Sequence, residues 1–121
     1  FFSYILTERL RFFHEHKAGL FTITREDMKQ FHYIRGDAEG LVNEPLKVKG
    51  MRLSISLRED TEVDKIRVSV RSVDDFPANK LAEEFFNGGG HFNAAGGELP
   101  FPLEEAIRTA ERAIEAYADR L

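Results

Sequence analysis

MRLSISLR, residues 51–58, and KIRVSVRS, residues 65–72, are the two stretches that decide the fold of this chain. In both stretches apolar and polar residues alternate, which is the pattern of a half-buried β-strand. The polar link EDTEVD (59–64) between them favours pairing as an antiparallel hairpin. One face of this hairpin then carries only Arg, Lys and Ser.

That polar face forms a basic stripe in a chain that is acidic as a whole. Residues 47–71 contain seven Lys or Arg and four Asp or Glu, whereas the formal net charge of the chain is −4 at pH 7. The acidic balance excludes a general nucleic-acid binder with a basic surface, but it allows a local anion site. Most of the stripe is explained equally well as the solvated face of a sheet. Arg71, the last arginine of its strand and the neighbour of Ser72, is the exception.

Periodicity and capping residues predict the elements around the hairpin. They are an amphipathic helix over 2–15, a short buried strand over 18–24, a helix over 25–33 that starts at Thr24 and ends by Gly36, a glycine- and proline-containing connection over 37–50, a loop and helix over 72–86, a short strand within 97–101, and a helix over 103–121. The predicted fold is α/β (α+β): a compact mixed β-sheet with a central antiparallel hairpin, flanked by helices.

Length and composition indicate one globular domain with a modest core. The chain has 121 residues and no cysteine, which excludes disulfides and thiolate metal sites and fits a cytoplasmic protein. No apolar run approaches the length of a membrane span, so no membrane partner is expected. The chain begins with Phe1 instead of Met. We therefore interpret residues 1–17 as a helix continuing from a missing upstream domain or linker, and residues 18–121 as the domain itself.

NGGGHFNAAGG, residues 87–97, places five glycines and two alanines around a single histidine. Three consecutive glycines could expose their N–H groups as a nest for an anion, and a helix starting within HFNAA would add its own free N–H groups. His91 could donate to a phosphate oxygen, and the Arg71 guanidinium could bind phosphate with two parallel hydrogen bonds. The alternative is a helix terminator followed by a tight packing contact, and both interpretations stay open.

GGGHFNAAGG resembles the glycine-histidine signature of the DHH-associated (DHHA-type) domain at the C-terminus of DHH-type phosphoesterases. EGLVN (39–43), VSVRS (68–72) and the spacing from Asn79 to the GGGH motif support the resemblance, which extends from roughly Leu20 onward. Among its branches the chain looks most similar to the bacterial oligoribonuclease and pAp phosphatase group, often labelled exopolyphosphatase-related. Asn87 departs from that group, in which a further glycine is common, but Asn tolerates left-handed backbone well.

The resemblance implies a division of labour between two domains. An N-terminal domain with an Asp-His-His motif would bind Mn²⁺ or Mg²⁺ and activate water, while the C-terminal domain would grip the substrate. This chain contains no Asp-His-His sequence, so we expect a substrate-binding, non-catalytic domain of a metal-dependent hydrolase. Its expected partners are the N-terminal DHH domain, short single-stranded RNA or a nucleotide phosphate such as pAp, and a second copy in a homodimer.

The resemblance also assigns the substrate contacts. The expected phosphate-binding residues are Gly88, Gly89, Gly90 and His91, with Arg71 and Ser72 as partners and with Asn93, Ala94, Ala95 and Gly96 as the adjoining wall. No catalytic or metal-binding residue is expected in this chain. HEH (14–16) is interpreted as a solvated helix end and Asp74–Asp75 as part of a loop or cap, and His32 receives no role.

Two functions of other classes remain open at this stage. One is a nucleic-acid-binding module without hydrolysis, because a related domain occurs in alanyl-tRNA synthetases, where it contacts tRNA. The other is a structural or dimerising domain in which the glycines only allow close packing and the phenylalanines form an exposed patch.

Overall fold

A computed structural model describes residues 2–31 and 37–121 of the chain. Its strands are β1 (Arg11–Phe13), β2 (Ala18–Ile23), β3 (Leu53–Glu59), β4 (Lys65–Ser72), β5 (Gly89–His91) and β6 (Ala94–Pro100). They form one six-stranded sheet in the order β1-β2-β3-β4-β6-β5. β2 and β3 are parallel, and the other neighbouring pairs are antiparallel. The predicted mixed sheet with a central antiparallel hairpin is confirmed.

Five helices flank the sheet in the described part of the chain. They are α1 (Phe2–Tyr4), which continues as one π-helical turn (Ile5–Arg9), α2 (Arg25–Gln30), α3 (Asp37–Asn43), which continues as a 3₁₀ turn (Glu44–Lys47), α4 (Ala78–Phe85) and α5 (Leu103–Ala116), which is followed by a 3₁₀ turn (Ala118–Arg120). None of the helices within residues 2–31 and 37–121 is long and apolar enough to cross a membrane.

The main core lies between one face of the sheet and the helices α4 and α5. Ile55 on β3 and Val70 on β4 are opposite each other in the ladder and fully buried, and they belong to the same cluster as Leu81 of α4 and Ala110 of α5. Burying an aliphatic side chain of this size contributes about 1.5–3 kcal/mol. The alternation of the two hairpin strands therefore selects this face as the interior.

A second, smaller core covers part of the opposite face, over β2 and β3. Its buried members are Ile5, Phe21, Ile23, Met28, Leu41 and Val42. Because both faces of β3 are covered, Ser54 and Ser56 are buried as well, and the prediction that β3 is half-buried is wrong. α3, which carries the EGLVN stretch, packs against β3 and β4 on this side. The face formed by β4, β6 and β5 stays more open beside it.

The predicted helix over residues 2–15 is wrong beyond Arg9. Residues 11–13 form the edge strand β1, in which Arg11 lies opposite Leu20 of β2. The turn that follows holds His14, Glu15 and His16 in left-handed backbone, with φ of 52°, 57° and 68°. Local apolar spacing suggested a helix, but pairing with β2 satisfies the backbone of this segment, and tertiary contacts override such local preferences.

The other element predictions differ mainly in extent. The helix after Thr24 is confirmed over Arg25–Gln30, and Thr24 and Asp27 form the capping box at its start. Phe31 ends this helix, and the rest of that prediction, with His32 and Gly36, lies outside the described residues. The connection over 37–50 is more helical than predicted, since α3 and its 3₁₀ turn occupy Asp37–Lys47.

Candidate functional site

The glycine-rich stretch forms a β-hairpin at the edge of the sheet. Gly89 pairs with Gly96, Gly90 with Ala95 and His91 with Ala94, so that Phe92 and Asn93 form a two-residue turn. The helix considered for HFNAA is therefore not present. Successive N–H groups of a strand point in alternate directions, so consecutive glycine N–H groups do not converge on one anion. The N–H of Gly88 donates to the carbonyl of Ala82 instead, at 3.3 Å.

Close packing explains most of these glycines. A Cβ atom added to Gly88 would lie 1.9 Å from the carbonyl oxygen of Gly96, and one added to Gly97 would lie 2.0 Å from the carbonyl oxygen of Phe86. Gly90 has a φ of +141°, which disfavours any residue with a side chain. Gly89 differs, because its nearest neighbours would be side-chain atoms of Glu83 at 3.6 and 3.7 Å. Gly89 is thus a glycine of the motif that packing within the chain does not require.

Arg71, Ala94 and His91 lie in one row across three strands. Arg71 on β4 is directly opposite Ala94 on β6, which in turn is directly opposite His91 on β5. Side chains at directly opposed positions share a face of the sheet, and two strand spacings separate the ends of this row by about 10 Å. Ala94 contributes only a methyl group between them. The row therefore places a cation and an imidazole on either side of a shallow, side-chain-poor floor.

Arg71 keeps its charge available for a ligand. Its Nη1 donates to the carbonyl oxygens of Val70 and Ala95, at 3.0 and 3.1 Å. Among the side chains that the structure describes, those of residues 3–31 and 40–121, no carboxylate oxygen lies within 4.0 Å of its guanidinium. Partly buried cations without a carboxylate partner attract anions more strongly than paired ones.

The other arginines of the hairpin show the contrast. Arg67, four residues before Arg71 on the same strand, donates to Asp60 at 2.9 Å and to Glu98 at 2.6 Å. The hydrogen bond with Asp60 raises the pKa of the Arg67 guanidinium. Arg52 pairs with Asp75. Much of the predicted basic stripe is therefore neutralised within the chain.

Ser72 and Asn93 fasten the hairpin turn to the end of β4. The buried Ser72 hydroxyl donates to the carbonyl of Phe76 at 2.7 Å and accepts from the Asn93 amide at 2.8 Å. The backbone N–H of Ser72 donates to the carbonyl of Asn93 at 3.0 Å. Both residues were predicted as ligand contacts. In this structure their polar side chains bind each other and hold the Arg71–Ala94–His91 row in register.

The two remaining wall residues lie on different faces. Gly96 is opposite Ser69, on the face that carries Arg71. Ala95 is opposite Val70 and is buried in the main core. Ala95 therefore contributes to the position of β6, and its side chain does not line the open face.

Two residues near the row were not among the predicted contacts. Ser54 lies directly opposite Arg71 on β3, is fully buried, and its Oγ has no hydrogen-bond partner among the described residues. Its alternation with apolar residues was interpreted as solvent exposure, so only the strand register could reveal this position. Phe92, at the tip of the hairpin, is 47% exposed.

No group of three His, Cys, Asp or Glu side chains in the described part of the chain is arranged to share a metal ion. The HEH stretch lies in the left-handed β1–β2 turn instead of at a helix end, and the Nε2 atom of His14 lies 2.8 Å from a carboxylate oxygen of Glu115. Asp74 and Asp75 lie in the loop after β4, where both face Arg52. The residues described here do not fit a metal centre.

Comparisons with known proteins agree with this architecture. An exopolyphosphatase-related protein from Bacteroides fragilis superposes with a TM-score of 0.88 at 46% identity, over 96% of this chain and 33% of its own length. A pGpG-specific phosphodiesterase from Vibrio cholerae has the same fold, with a TM-score of 0.68 at 16% identity, over 98% of this chain and 38% of its own. This chain thus spans about a third of the first protein and 38% of the second.

The family comparison covers most of the chain. The model of the DHHA1 domain matches residues 21–119. No curated protein matches the sequence. The matched range contains the β3–β4 hairpin, α4, the glycine-rich hairpin and α5. The resemblance seen in the GGGH motif is confirmed, and the chain belongs to the DHHA1 domain family.

Proposed function

We propose that this chain is the substrate-binding domain of a metal-dependent DHH phosphoesterase. Its β4–β6–β5 face would bind the phosphate of a short oligoribonucleotide or of pAp. The observation that carries the proposal is the row of Arg71 and His91 across Ala94, in which the arginine has no carboxylate partner among the described residues. The 46% identity to an exopolyphosphatase-related protein supports the phosphoesterase class.

The residues of this chain would bind and orient the substrate. The Arg71 guanidinium can offer its remaining N–H groups to phosphate oxygens, and His91 can donate a hydrogen bond from the opposite side of the floor. Gly89 leaves room for close approach to the β5 edge. Mn²⁺ or Mg²⁺ in an upstream domain would supply the activated water, so this chain alone would hydrolyse nothing.

The distribution of charge favours a short substrate. A long duplex is held by many phosphate contacts along an extended basic surface. Here Arg52 and Arg67 are engaged in ion pairs, whereas Arg71 has no carboxylate partner within the described side chains. We therefore expect this face to contact one or two phosphates of the substrate.

A purely structural role has one observation in its favour, the packing requirement at Gly88 and Gly97. Packing does not explain why Gly89 lacks a side chain, nor why Arg71 has no carboxylate partner among the side chains that the structure describes. These two features favour binding over a structural domain.

Titration of the ¹⁵N-labelled chain with AMP and pAp tests the proposal. We expect chemical-shift changes confined to residues 71–72 and 88–97. Arg71→Gln should weaken binding about tenfold or more, because it removes a charge-assisted contact worth roughly 1.5–3 kcal/mol. Arg67→Gln is the matched control: it removes the same charge from the same strand, but from a side chain that is already ion-paired.

Two results would contradict the proposal. Shift changes scattered away from the two segments would show that the nucleotides bind elsewhere. Equal losses of affinity in the Arg71 and Arg67 variants would show that overall charge, and not the row, attracts the ligand.

A further inference from the structure

Phe92 is an exposed aromatic side chain beside the proposed phosphate site. Among the described residues, the large apolar side chains exposed to a comparable degree are Phe12, Val48, Val63 and Phe92. Phe12 lies on β1 at the opposite edge of the sheet, Val63 lies in the β3–β4 link, and Val48 follows the 3₁₀ turn after α3. Phe92 is the member of this group that directly follows His91 in the chain.

The turn that presents Phe92 is held in place by hydrogen bonds on both of its residues. The carbonyl of Phe92 accepts from the N–H of Ala78, the first residue of α4, at 2.7 Å. Asn93 is bound to Ser72 through both its carbonyl and its side-chain amide, at 3.0 and 2.8 Å. Because the backbone of the turn is already ordered, the turn loses little additional conformational entropy when a ligand stacks on the ring.

The place of Phe92 in the chain suggests what it contacts. Consecutive Cα atoms are about 3.8 Å apart, so the Cα that carries the ring is adjacent to that of His91, which flanks the floor. A phosphate held between Arg71 and His91 has its ester substituent free to extend toward the hairpin tip. Aromatic side chains next to a phosphate-binding groove bind nucleobases by stacking, which tolerates any base because every base has a π-face.

We propose that Phe92 is the base-stacking residue of this site, so that the domain prefers a nucleotide to inorganic phosphate, polyphosphate or a sugar phosphate. The inference rests on the proposed function, because it takes the phosphate to be held by Arg71 and His91. Stacking without base-edge hydrogen bonds predicts little discrimination among the four bases.

The test compares AMP, ribose 5-phosphate and inorganic tripolyphosphate as ligands of the 121-residue chain. We expect AMP to bind more tightly than ribose 5-phosphate. Phe92→Leu, which keeps an apolar side chain, should weaken AMP binding by about fivefold or more and leave ribose 5-phosphate binding within twofold. Phe92→Trp should retain or increase the affinity for AMP. Phe12→Leu is the matched control and should leave the affinities for both ligands unchanged. Circular dichroism verifies that each variant is folded.

The outcomes separate this inference from the proposed function. If AMP and ribose 5-phosphate bind equally at the Arg71 row, or if Phe92→Leu weakens both ligands equally, base stacking is refuted while phosphate binding stands. Tighter binding of tripolyphosphate than of AMP also refutes it. If none of the three ligands shifts the resonances of Arg71 and His91, the proposed function itself fails.

Discussion

Alanine substitutions in the glycine-rich hairpin should separate the glycines that packing requires from one that it does not. At Gly97 an added Cβ would lie 2.0 Å from the carbonyl oxygen of Phe86 and 3.0 Å from its Cβ. Phe86 is fully buried, and its carbonyl accepts from the N–H of Glu98 at 2.9 Å. The Phe86 backbone can move away from an added Cβ only by breaking this hydrogen bond and displacing the Phe86 side chain in the core.

We therefore expect Gly97→Ala to lower the free energy of unfolding by about 3 kcal/mol. Overpacking costs roughly 1–3 kcal/mol, and loss of the hydrogen bond adds about 1 kcal/mol. At Gly89 the nearest contact would be the flexible side chain of Glu83 at 3.6 Å, and the backbone is not left-handed. Gly89→Ala should leave stability within about 1 kcal/mol of the parent, with a stabilising contribution from reduced freedom of the unfolded chain.

Urea denaturation followed by circular dichroism measures both variants, and AMP titration of the folded Gly89→Ala chain measures binding. If Gly89 leaves room for the ligand, its alanine variant should bind AMP more weakly at unchanged stability. Equal stabilities of the Gly97 and Gly89 variants would refute the packing argument. Unchanged AMP affinity in Gly89→Ala would remove Gly89 from the site.

Two further predictions concern stability alone. Ser54→Ala should raise the free energy of unfolding by about 1 kcal/mol, because it removes a buried hydroxyl without a described partner. Ser72→Ala should lower it by about 1–2 kcal/mol, because it removes the hydroxyl's hydrogen bonds to the Phe76 carbonyl and from the Asn93 amide. Urea denaturation that gives both changes the same sign would contradict this. Burial raises the pKa of Asp27, but hydrogen bonds from Arg9 and from the Thr24 N–H lower it by more, so that the folded pKa lies below its ordinary value of 3.8. The stability that this depressed pKa contributes is present above about pH 4 and is lost as the pH falls through the folded value. Unfolding measured from pH 5 to pH 2 should therefore decline less steeply for Asp27→Asn than for the parent, and parallel declines would contradict this.

The sequence predicted the candidate site in part. The differences arise because the partners of several side chains come from distant parts of the chain. The proposal of Arg71 and His91 as site residues came from their types and from the motif, and the register places them in one row. Which arginine is unpaired could not be predicted, because Arg67 is neutralised by Glu98, 31 residues further along the chain. The partners of Ser72 and Asn93 are likewise set by the contact between the hairpin turn and the β4 end.

The sequence by itself determined the elements whose patterns are local: the alternating strands β3 and β4, the amphipathic helix α5, and the motif that identifies the family. Only the tertiary structure decided that residues 11–13 pair as β1, that both faces of β3 are buried, and that the glycine-rich stretch is a hairpin packed against Phe86. Periodicity shows which side chains avoid water, but it does not specify which distant backbone or carboxylate they meet. Those partners explain the close-packed glycines and leave Arg71 available at the open face.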